Sequence, residues 1–256
     1  MELHLARAPG ASGKLADPVI PAIELAVVSV KRADRDVVHD ISTAVASGRW
    51  LGIIGANGSG KTTLLRAIAG RLPIAAGRCS VEGRDVTDDR SARAKTVGFA
   101  PPIERLPSLL TVRRLLELAG DTIEVQEARN SELWVALEIA KLLDRPIGEC
   151  SSGMCQRAAI ALAFAAPTSI VILDEPFNWL DPVAAFDARS ALAAKVRSGM
   201  TLLTAFHDLS TLCAACDEGI IMADGRISLE LDQSRLRAGA RDIDAFEHEM
   251  IEALRT

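Results

Sequence analysis

Short apolar runs recur along the chain and alternate with longer stretches whose apolar residues have helical spacing. Runs rich in β-branched residues and bounded by Gly, Pro or Asp predict β-strands. They cover residues 22–30, 35–45, 50–55, 96–100, 169–176 and 200–207, with a strand before a turn at Gly83 and a hairpin over 218–231 that turns at Asp224–Gly225. The run WLGIIG at 50–55 has no polar position, which is typical of a strand buried on both faces.

Helical spacing appears between most of these strands and predicts an α/β protein. Since strands and helices alternate, the sheet should be mainly parallel, and an antiparallel β portion is expected in addition. Between residues 101 and 149 the pattern is helical with no strand candidate, so this stretch is expected to be inserted into the α/β core. Near the end, four apolar residues share one helix face that we expect to pack on the core. They are Ile243, Phe246, Met250 and Leu254.

Composition and charge exclude several classes of protein. The chain has 256 residues, enough for one large domain or a domain with a small insertion. Its net charge of −5 argues against a dedicated nucleic-acid binder, so no nucleic acid is expected as a partner. The apolar run at 158–166 is about half the length that a membrane-spanning helix needs. Residues 1–21 have no signal-peptide pattern and are expected to form a loose tail.

Five cysteines raise the question of a metal or redox site. An odd number in a chain of this size fits a reducing cytosol better than a disulfide framework. Cys213 and Cys216 form a C-x-x-C in a helical stretch, where such thiols are usually small core residues. Cys150 and Cys155 flank the segment SSGM, and no nearby His or further Cys completes a metal shell. Packing is therefore favoured over metal or redox chemistry at both pairs.

The segment GANGSGKT at 55–62 matches the phosphate-loop pattern G-x-x-x-x-G-K-[ST] and lies between a predicted strand and a helix. Its glycines let successive backbone N–H groups point at phosphate oxygens, and the helix N-terminus adds a positive dipole end. Lys61 is predicted to reach the β- and γ-phosphates, and Thr62 to offer its hydroxyl to Mg²⁺. The predicted nucleotide contacts are Gly55, Ala56, Asn57, Gly58, Ser59, Gly60, Lys61, Thr62 and Thr63.

A pair of carboxylates follows the apolar strand IVIL. Asp174 stands at the end of this strand, where parallel order places it beside the phosphate loop, and it is predicted to hold Mg²⁺. Glu175 follows and is predicted to polarise the attacking water. The alternative is that both carboxylates belong to a solvated loop end. The functional interpretation is favoured over this alternative because the chain already contains a phosphate loop.

The order and spacing of GANGSGKTT, CSSGMCQRAAIALAF, IVILDEPFNWLDP and TAFHD resemble the ATP-binding cassette (ABC) ATPases, from about Ile23 to Ile227. The resemblance implies a phosphate-loop NTPase (RecA-like) core and two cassettes that enclose two ATP molecules head to tail. It implies that Ser151 and Gly153 in SSGM contact the ATP of the second cassette, and that Asp181 communicates between the sites. His207 matches the catalytic switch histidine near the γ-phosphate, alongside Glu175 and Lys61.

Two departures from the family pattern stand out. Pro101 and Pro102 stand where the family has a Pro-Gln pair whose Gln senses Mg²⁺ and water, with Glu104 close by. Arg32 occupies the place of the aromatic residue that stacks on adenine, and the chain has no Tyr. A guanidinium can also stack on a base, so we assign Arg32 to the nucleotide.

The resemblance implies an ATPase subunit that binds ATP and Mg²⁺ and drives a separate membrane permease, with export favoured over import. The second cassette is either an identical or a different chain. The expected location is cytoplasmic, on the inner face of the cell membrane through the permease. The predicted division is a tail at 1–21, an ATPase domain at 22–235 with a helical subdomain at about 101–165, and a C-terminal helix at 236–256. Alternatives are a regulatory cassette with little hydrolysis, or a soluble ABC mechanoenzyme.

Overall fold

The computed structural model describes residues 20–255, which form ten strands in two sheets. The strands are β1 Ile23–Arg32, β2 Arg35–Val45, β3 Trp50–Ile54, β4 Ala76–Val81, β5 Arg84–Asp85, β6 Val97–Phe99, β7 Ile170–Asp174, β8 Thr201–Phe206, β9 Glu218–Ala223 and β10 Arg226–Leu231. The larger sheet has the order β10-β9-β3-β8-β7-β6, and its pairs are parallel except for the β9–β10 hairpin. The smaller sheet, β2-β1-β4-β5, is antiparallel. The predicted fold class is confirmed.

Alternating side chains of the larger sheet enter two separate apolar cores. Every residue of β3 is buried, as the unbroken apolar run predicts. Leu51 and Ile53 pack in one core with the smaller sheet and the helix after the phosphate loop. Trp50 and Ile54 pack on the opposite face with the remaining helices. Both faces of the sheet are therefore covered, which explains why its central strands carry so few polar residues.

Ten helices surround the sheets in the described part of the chain. They are α1 Lys61–Ile68, α2 Arg90–Thr96, α3 Val112–Ala119, α4 Ile123–Arg129, α5 Ser131–Ala136, α6 Ser152–Ala163, α7 Pro182–Arg197, α8 Leu209–Ala215, α9 Gln233–Gly239 and α10 Ile243–Arg255. Only helical elements, short 3₁₀ turns included, lie between β6 and β7 in this structure. Among residues 20–255, no helix is long and apolar enough to span a bilayer.

The C-terminal part contains two helices where the sequence pattern predicts one. The side chain of Asp232 caps α9 by accepting the N–H of Arg235, so this helix begins before the expected boundary at residue 235. Phe246 and Met250 of α10 are buried, in line with the predicted apolar face, and Ile243 is half-buried. The side chain of Leu254 lies outside the described residues, as does the tail predicted at 1–21 apart from Ile20 and Pro21.

Helix α2 has no counterpart in the sequence prediction. Its Arg93 is completely buried and donates hydrogen bonds to backbone carbonyl oxygens, among them that of Ala67 in α1 at 3.1 Å. A buried cation needs such hydrogen-bond partners, because leaving it unsatisfied would cost several kcal/mol. Asp89 caps the helix through the N–H of Ala92. Polar contacts therefore fix α2 against the helix that follows the phosphate loop.

Candidate nucleotide-binding site

The phosphate loop joins β3 to α1 and depends on glycine at its two ends. A Cβ atom at Gly55 would lie 2.2 Å from the carbonyl oxygen of Met222, so no other residue fits there without a shift. Gly60 is the N-cap of α1 and has a left-handed φ of 100°. No side chain caps this helix end. Its first N–H groups are therefore available to an anion, and the helix dipole favours negative charge at the same place.

Lys61 lies inside the loop with 5% of its surface exposed. Its Nζ donates hydrogen bonds to the carbonyl oxygens of Gly55 at 2.6 Å and Ala56 at 3.3 Å. Burial lowers the pKa of the ammonium group, while the charges of Glu175 and Asp174 oppose this effect. The ammonium is thus held at the mouth of the loop, where an anionic ligand would stabilise its charged form.

Thr62 and Asp174 meet beside the loop, as the parallel order of the strands predicts. The Thr62 hydroxyl donates a hydrogen bond to Asp174 Oδ1 at 3.2 Å. Burial is the main cause that raises the pKa of Asp174, and the charge of Glu175 acts in the same direction. A desolvated carboxylate next to a hydroxyl offers the oxygen ligands that Mg²⁺ prefers, with room for water and phosphate oxygens to complete the shell. The residues present therefore fit this ion.

Glu175 and His207 form the second part of the site. His207 Nε2 lies 2.6 Å from Glu175 Oε2, and the amide nitrogen of Asn178 donates to the same oxygen at 2.9 Å. The backbone of Glu175 has a left-handed φ of 53°, and its N–H donates to the carbonyl oxygen of Ala205 in β8. A strained conformation of this kind persists only where the surroundings hold it. The glutamate is therefore oriented by three neighbours at the carboxyl ends of β7 and β8.

Two clefts extend from the phosphate loop. Arg32 lines the first together with residues 57–63, and its assignment to the nucleotide stays a prediction. The second cleft contains Thr62, Asp174 and Glu175 together with Pro101, Pro102 and Glu104. The segment that carries the substituted Gln position therefore lies beside the carboxylates, as the resemblance implies.

The SSGM segment forms the N-terminus of α6. The hydroxyl oxygen of Ser151 caps the helix by accepting the N–H of Met154 at 3.3 Å. A Cβ atom at Gly153 would lie 2.8 Å from the carbonyl oxygen of Trp179. Neither residue lines the clefts around the phosphate loop. Within one chain these two residues therefore lie outside both clefts.

Arg157, further along α6, connects three elements. It pairs with Glu138, in the segment between α5 and α6, and its Nη2 lies 3.5 Å from Asp181 Oδ2. Asp181 is also the N-cap of α7, where Oδ1 accepts the N–H groups of Val183 and Ala184. The structure thus gives Asp181 a capping role, which the sequence did not predict, in addition to the proposed communication between sites.

The cysteines are packed, and all five are free thiols. Cys150 donates to the carbonyl oxygen of Pro146 at 3.4 Å, and Cys155 to that of Ile147 at 3.8 Å. Desolvation is the main cause that raises the pKa of Cys155 and of Cys216. In the described part of the chain, no three His, Cys, Asp or Glu side chains are grouped so that they could hold a metal ion.

The sequence profile that describes the ABC transporters matches residues 38–178, which is more than half of the chain. The chain belongs to the ABC transporter family. The match begins in β2, includes the phosphate loop and the two carboxylates, and ends just after Glu175. It confirms the prediction of an ATP-binding cassette ATPase.

Individual members of the ABC family show how far the similarity extends. The sulfate/thiosulfate import ATP-binding protein CysA of Synechococcus elongatus is 35% identical over 80% of this chain, which spans 61% of that protein. The chain spans 10% of the mouse ATP-binding cassette sub-family A member 7, at 31% identity. The lipopolysaccharide export protein LptB of Escherichia coli K12 is 31% identical over 75% of this chain and 83% of its own length.

Solved ABC structures confirm the fold. One described as the ATP-binding subunit of an ABC transporter superposes with a TM-score of 0.78 and 26% identity, over 90% of this chain and 99% of the other. A nucleotide-free cassette from an ABC transporter superposes with a TM-score of 0.74 and 22% identity, over 89% of this chain and 98% of the other. Both support a phosphate-loop α/β core with an antiparallel sheet.

Sequence reasoning missed several residues of this ABC site. Asn178 and Trp179 lie in the quoted segment NWLDP but had no assigned role, and Gln156 and Arg66 also line the clefts. Arg66 stands one helical turn after Thr62, which is a signal that could have placed it on the same face. The contact between Asn178 and Glu175 depends on a local turn that the sequence pattern does not specify.

Proposed function

We propose that the chain is the ATP-hydrolysing nucleotide-binding subunit of an ABC transporter. The observation that carries this proposal is the cluster of Thr62, Asp174, Glu175 and His207 at an uncapped phosphate loop. Membership of the family supports ATP as the ligand. Mg²⁺, held by Thr62 and Asp174, would neutralise charge on the β- and γ-phosphates.

The residues of the site act in sequence on bound ATP. Backbone N–H groups of the loop and the Lys61 ammonium hold the phosphates in place. The Glu175 carboxylate orients a water molecule and accepts its proton as the water oxygen bonds to the γ-phosphorus. The bond from the γ-phosphorus to the β–γ bridging oxygen breaks in the same step, so that ADP leaves and phosphate is formed. The side chains of His207 and Asn178 both contact Oε2 of Glu175 and hold the carboxylate in place. When two cassettes dimerise, Ser151 and Gly153 of one cassette complete the ATP site of the other. Asp181 lies in the loop that communicates the state of one ATP site to the other.

We further propose that the dimer works with a separate membrane permease, lies peripherally on the cytoplasmic face of the membrane, and serves export. The relatives of this chain include the export proteins LptB and Nod factor export ATP-binding protein I, beside the import protein CysA. The proposed domain division remains an ATPase domain over 22–235 with helices inserted at about 101–165.

Co-purification with a membrane protein tests this proposal directly. The chain, carrying an affinity tag, should be recovered from detergent extracts of its native cells together with an integral membrane protein. That complex should hydrolyse ATP with a requirement for Mg²⁺. Recovery of the chain with ribosomes or nucleic acid and no membrane protein would overturn the transporter assignment.

A second candidate function is a regulatory cassette that binds ATP but hydrolyses it slowly. The absence of the family's Gln at position 102 favours it, and replacing Pro102 by glutamine tests it. The new side-chain oxygen would enter the cleft that contains Thr62 and Asp174, so we expect hydrolysis to rise. ATP affinity should stay within a few fold, because the phosphate loop supplies the binding contacts. Both quantities are measured with the purified protein by phosphate release and nucleotide titration.

Two further variants complete that comparison. Pro107→Gln places the same side chain at an exposed position outside the cleft and should change neither quantity. Glu104→Ala should lower turnover if this carboxylate has taken over the role of the missing Gln. If Pro102→Gln and Glu104→Ala both leave turnover unaltered, with and without the membrane partner, the loop takes no part in the catalytic cycle.

A further inference from the structure

Two cysteine thiols lie against each other at the start of α6. Ser151 is the N-cap of this helix, so Cys150 is the residue immediately before the cap and Cys155 is the fourth residue of the helix. Side chains at these two positions often pack together and fix the direction in which the chain enters a helix. Here a hydrogen bond joins the two thiols, and Sγ of Cys155 lies 3.9 Å from the carbonyl oxygen of Cys150.

The contact between the thiols gives this pair a property beyond packing. Two apolar side chains would make the same contact and fix the helix entry equally well. Sulfur atoms that already touch can in addition be joined by a covalent bond, because disulfide formation requires the two side chains to face each other at short range. Both cysteines are free thiols in the structure, so the pair is in its reduced form.

Exposure distinguishes this pair from the other cysteines. Cys150 is half-buried, whereas Cys155 and the remaining three thiols, Cys79, Cys213 and Cys216, are buried. A reagent in solution therefore reaches Cys150 first and finds Cys155 directly behind it. Cys213 and Cys216 are also three residues apart on one helix, but both of them are covered by the core.

The two thiols enclose the segment SSGM, which has little room to move. The hydroxyl oxygen of Ser151 accepts the N–H of Met154 at 3.3 Å. On the other side, a Cβ atom at Gly153 would lie 2.8 Å from the carbonyl oxygen of Trp179. A covalent bond between the flanking sulfur atoms would shorten their separation and shift the backbone between them. The displaced groups would be Ser151 and the N–H groups at the start of α6.

We propose that Cys150 and Cys155 form a reversible thiol–disulfide site that controls the contact of SSGM with the second cassette. The inference rests on the proposed function, in which Ser151 and Gly153 complete the ATP site of the other chain. The oxidant is a low-molecular-weight disulfide. Once the bond has formed, Ser151 and Gly153 no longer reach the second ATP in the right geometry, and the dimer hydrolyses ATP more slowly.

The oxidation is a two-step thiol–disulfide exchange. The Cys150 thiolate attacks one sulfur of the reagent, whose S–S bond breaks and releases the first reagent thiolate. The Cys155 thiolate then attacks the Cys150 sulfur of the mixed disulfide and expels the second reagent thiolate. The protein dithiol is thus oxidised to one disulfide and the reagent is reduced to two thiols, which take up the two protons.

The surroundings of the pair set the rates of these steps. Burial raises the pKa of both Cys150 and Cys155, so little thiolate is present at neutral pH and the first attack is slow. The second attack is fast by comparison, because the two sulfur atoms are already held together. The pair should therefore stay reduced in the presence of excess thiol and become oxidised only on sustained exposure to the disulfide reagent.

Peptide mapping tests whether the disulfide forms. Trypsin cleaves after Lys141 and Arg157 but not after Arg145, which precedes Pro146, so both cysteines are released in one peptide covering residues 142–157. The native chain is incubated with oxidised glutathione, denatured, alkylated at its free thiols and digested. This peptide should be unalkylated and lighter by two hydrogen atoms, and dithiothreitol should restore both alkylation sites. A peptide that is alkylated at both thiols, or that carries glutathione alone, would overturn the proposal.

ATP hydrolysis tests the consequence of the bond. Oxidised glutathione should lower turnover of the native chain by about tenfold or more, because preorganised donors to the phosphate act in the transition state. Dithiothreitol should restore the native rate. Cys150→Ser and Cys155→Ala each remove one sulfur and should resist the oxidant while hydrolysing ATP at close to the native rate.

Cys213→Ser is the matched control, since it removes one thiol from the other cysteine pair. This variant should be inhibited by oxidised glutathione as strongly as the native chain. Inhibition that persists in Cys150→Ser, or that is lost in Cys213→Ser, would contradict the assignment. A disulfide between Cys150 and Cys155 that leaves turnover unaltered would also contradict it.

Nucleotide binding separates this inference from the function on which it rests. Ser151 and Gly153 do not line the clefts around the phosphate loop, so oxidation should leave the ATP affinity of a single chain unchanged. Reduced turnover with intact ATP binding is the expected result. Absence of hydrolysis in the native, reduced chain would contradict the proposed function, and peptide mapping would still decide whether the disulfide forms.

Discussion

Replacing Glu175 by glutamine should reduce ATP hydrolysis by about 100-fold or more and leave ATP binding intact. The amide keeps the shape of the side chain and can still contact His207 and Asn178, but it cannot accept a proton from water. Since the dimer would open only after hydrolysis, the variant should accumulate as an ATP-bound dimer. Phosphate release, nucleotide titration and size exclusion with and without ATP measure the three effects.

Glu127→Gln is the matched control for this experiment. Glu127 is exposed on α4, away from the clefts around the phosphate loop, and the same change there should leave turnover unaltered. Turnover of Glu175→Gln at the native rate would show that another group activates the water. A variant that stays monomeric with bound ATP would contradict the role of Ser151 and Gly153 in the second site.

Replacing Lys61 by alanine should remove ATP binding at ordinary nucleotide concentrations and abolish turnover with it. The ammonium is the charged donor at the mouth of the loop, and hydrogen bonds to charged groups contribute about 1.5–3 kcal/mol each. We therefore expect affinity to fall by about tenfold for each lost phosphate contact. Fluorescent-nucleotide displacement and phosphate release provide the measurements.

The same substitution should not unfold the protein. Burial lowers the pKa of Lys61, which means that the folded environment disfavours its charged form relative to the unfolded chain. Removing the group takes away this cost together with its two hydrogen bonds to loop carbonyl oxygens, so thermal unfolding should occur close to the native temperature. Lys31→Ala, at an exposed position in β1, controls for the loss of a positive charge. Native turnover by Lys61→Ala would refute the assignment of the loop.

The parts of the fold that were predictable are those in which local sequence and burial agree. The strand WLGIIG is apolar throughout because both of its faces are covered, and the loop after it requires glycine for steric reasons at Gly55. Helix α2, with the sequence RSARAKT, has no apolar periodicity because buried hydrogen bonds of Arg93 hold it in place. A pattern of apolar residues cannot reveal such a helix.

The site shows the same division. The phosphate loop and the Asp174–Glu175 pair are contiguous in sequence, so motif and strand order place them. The sequence predicts only that Glu175 and His207 both lie near the γ-phosphate. Their direct contact at 2.6 Å depends on the pairing of β7 with β8. The link from Glu138 through Arg157 to Asp181 joins residues far apart in the chain and is set by tertiary packing alone.

The exposed Trp179 gives this protein a built-in optical probe. Trp50 and Trp134 are buried in the core, whereas Trp179 is 64% exposed on the loop that follows Glu175. Its carbonyl oxygen lies against Gly153, and its side chain borders the cleft with Asp174. Tryptophan emission moves to shorter wavelength as water is excluded from the indole ring. The intrinsic emission of the native chain should therefore shift to the blue as two cassettes close on ATP, with no label added.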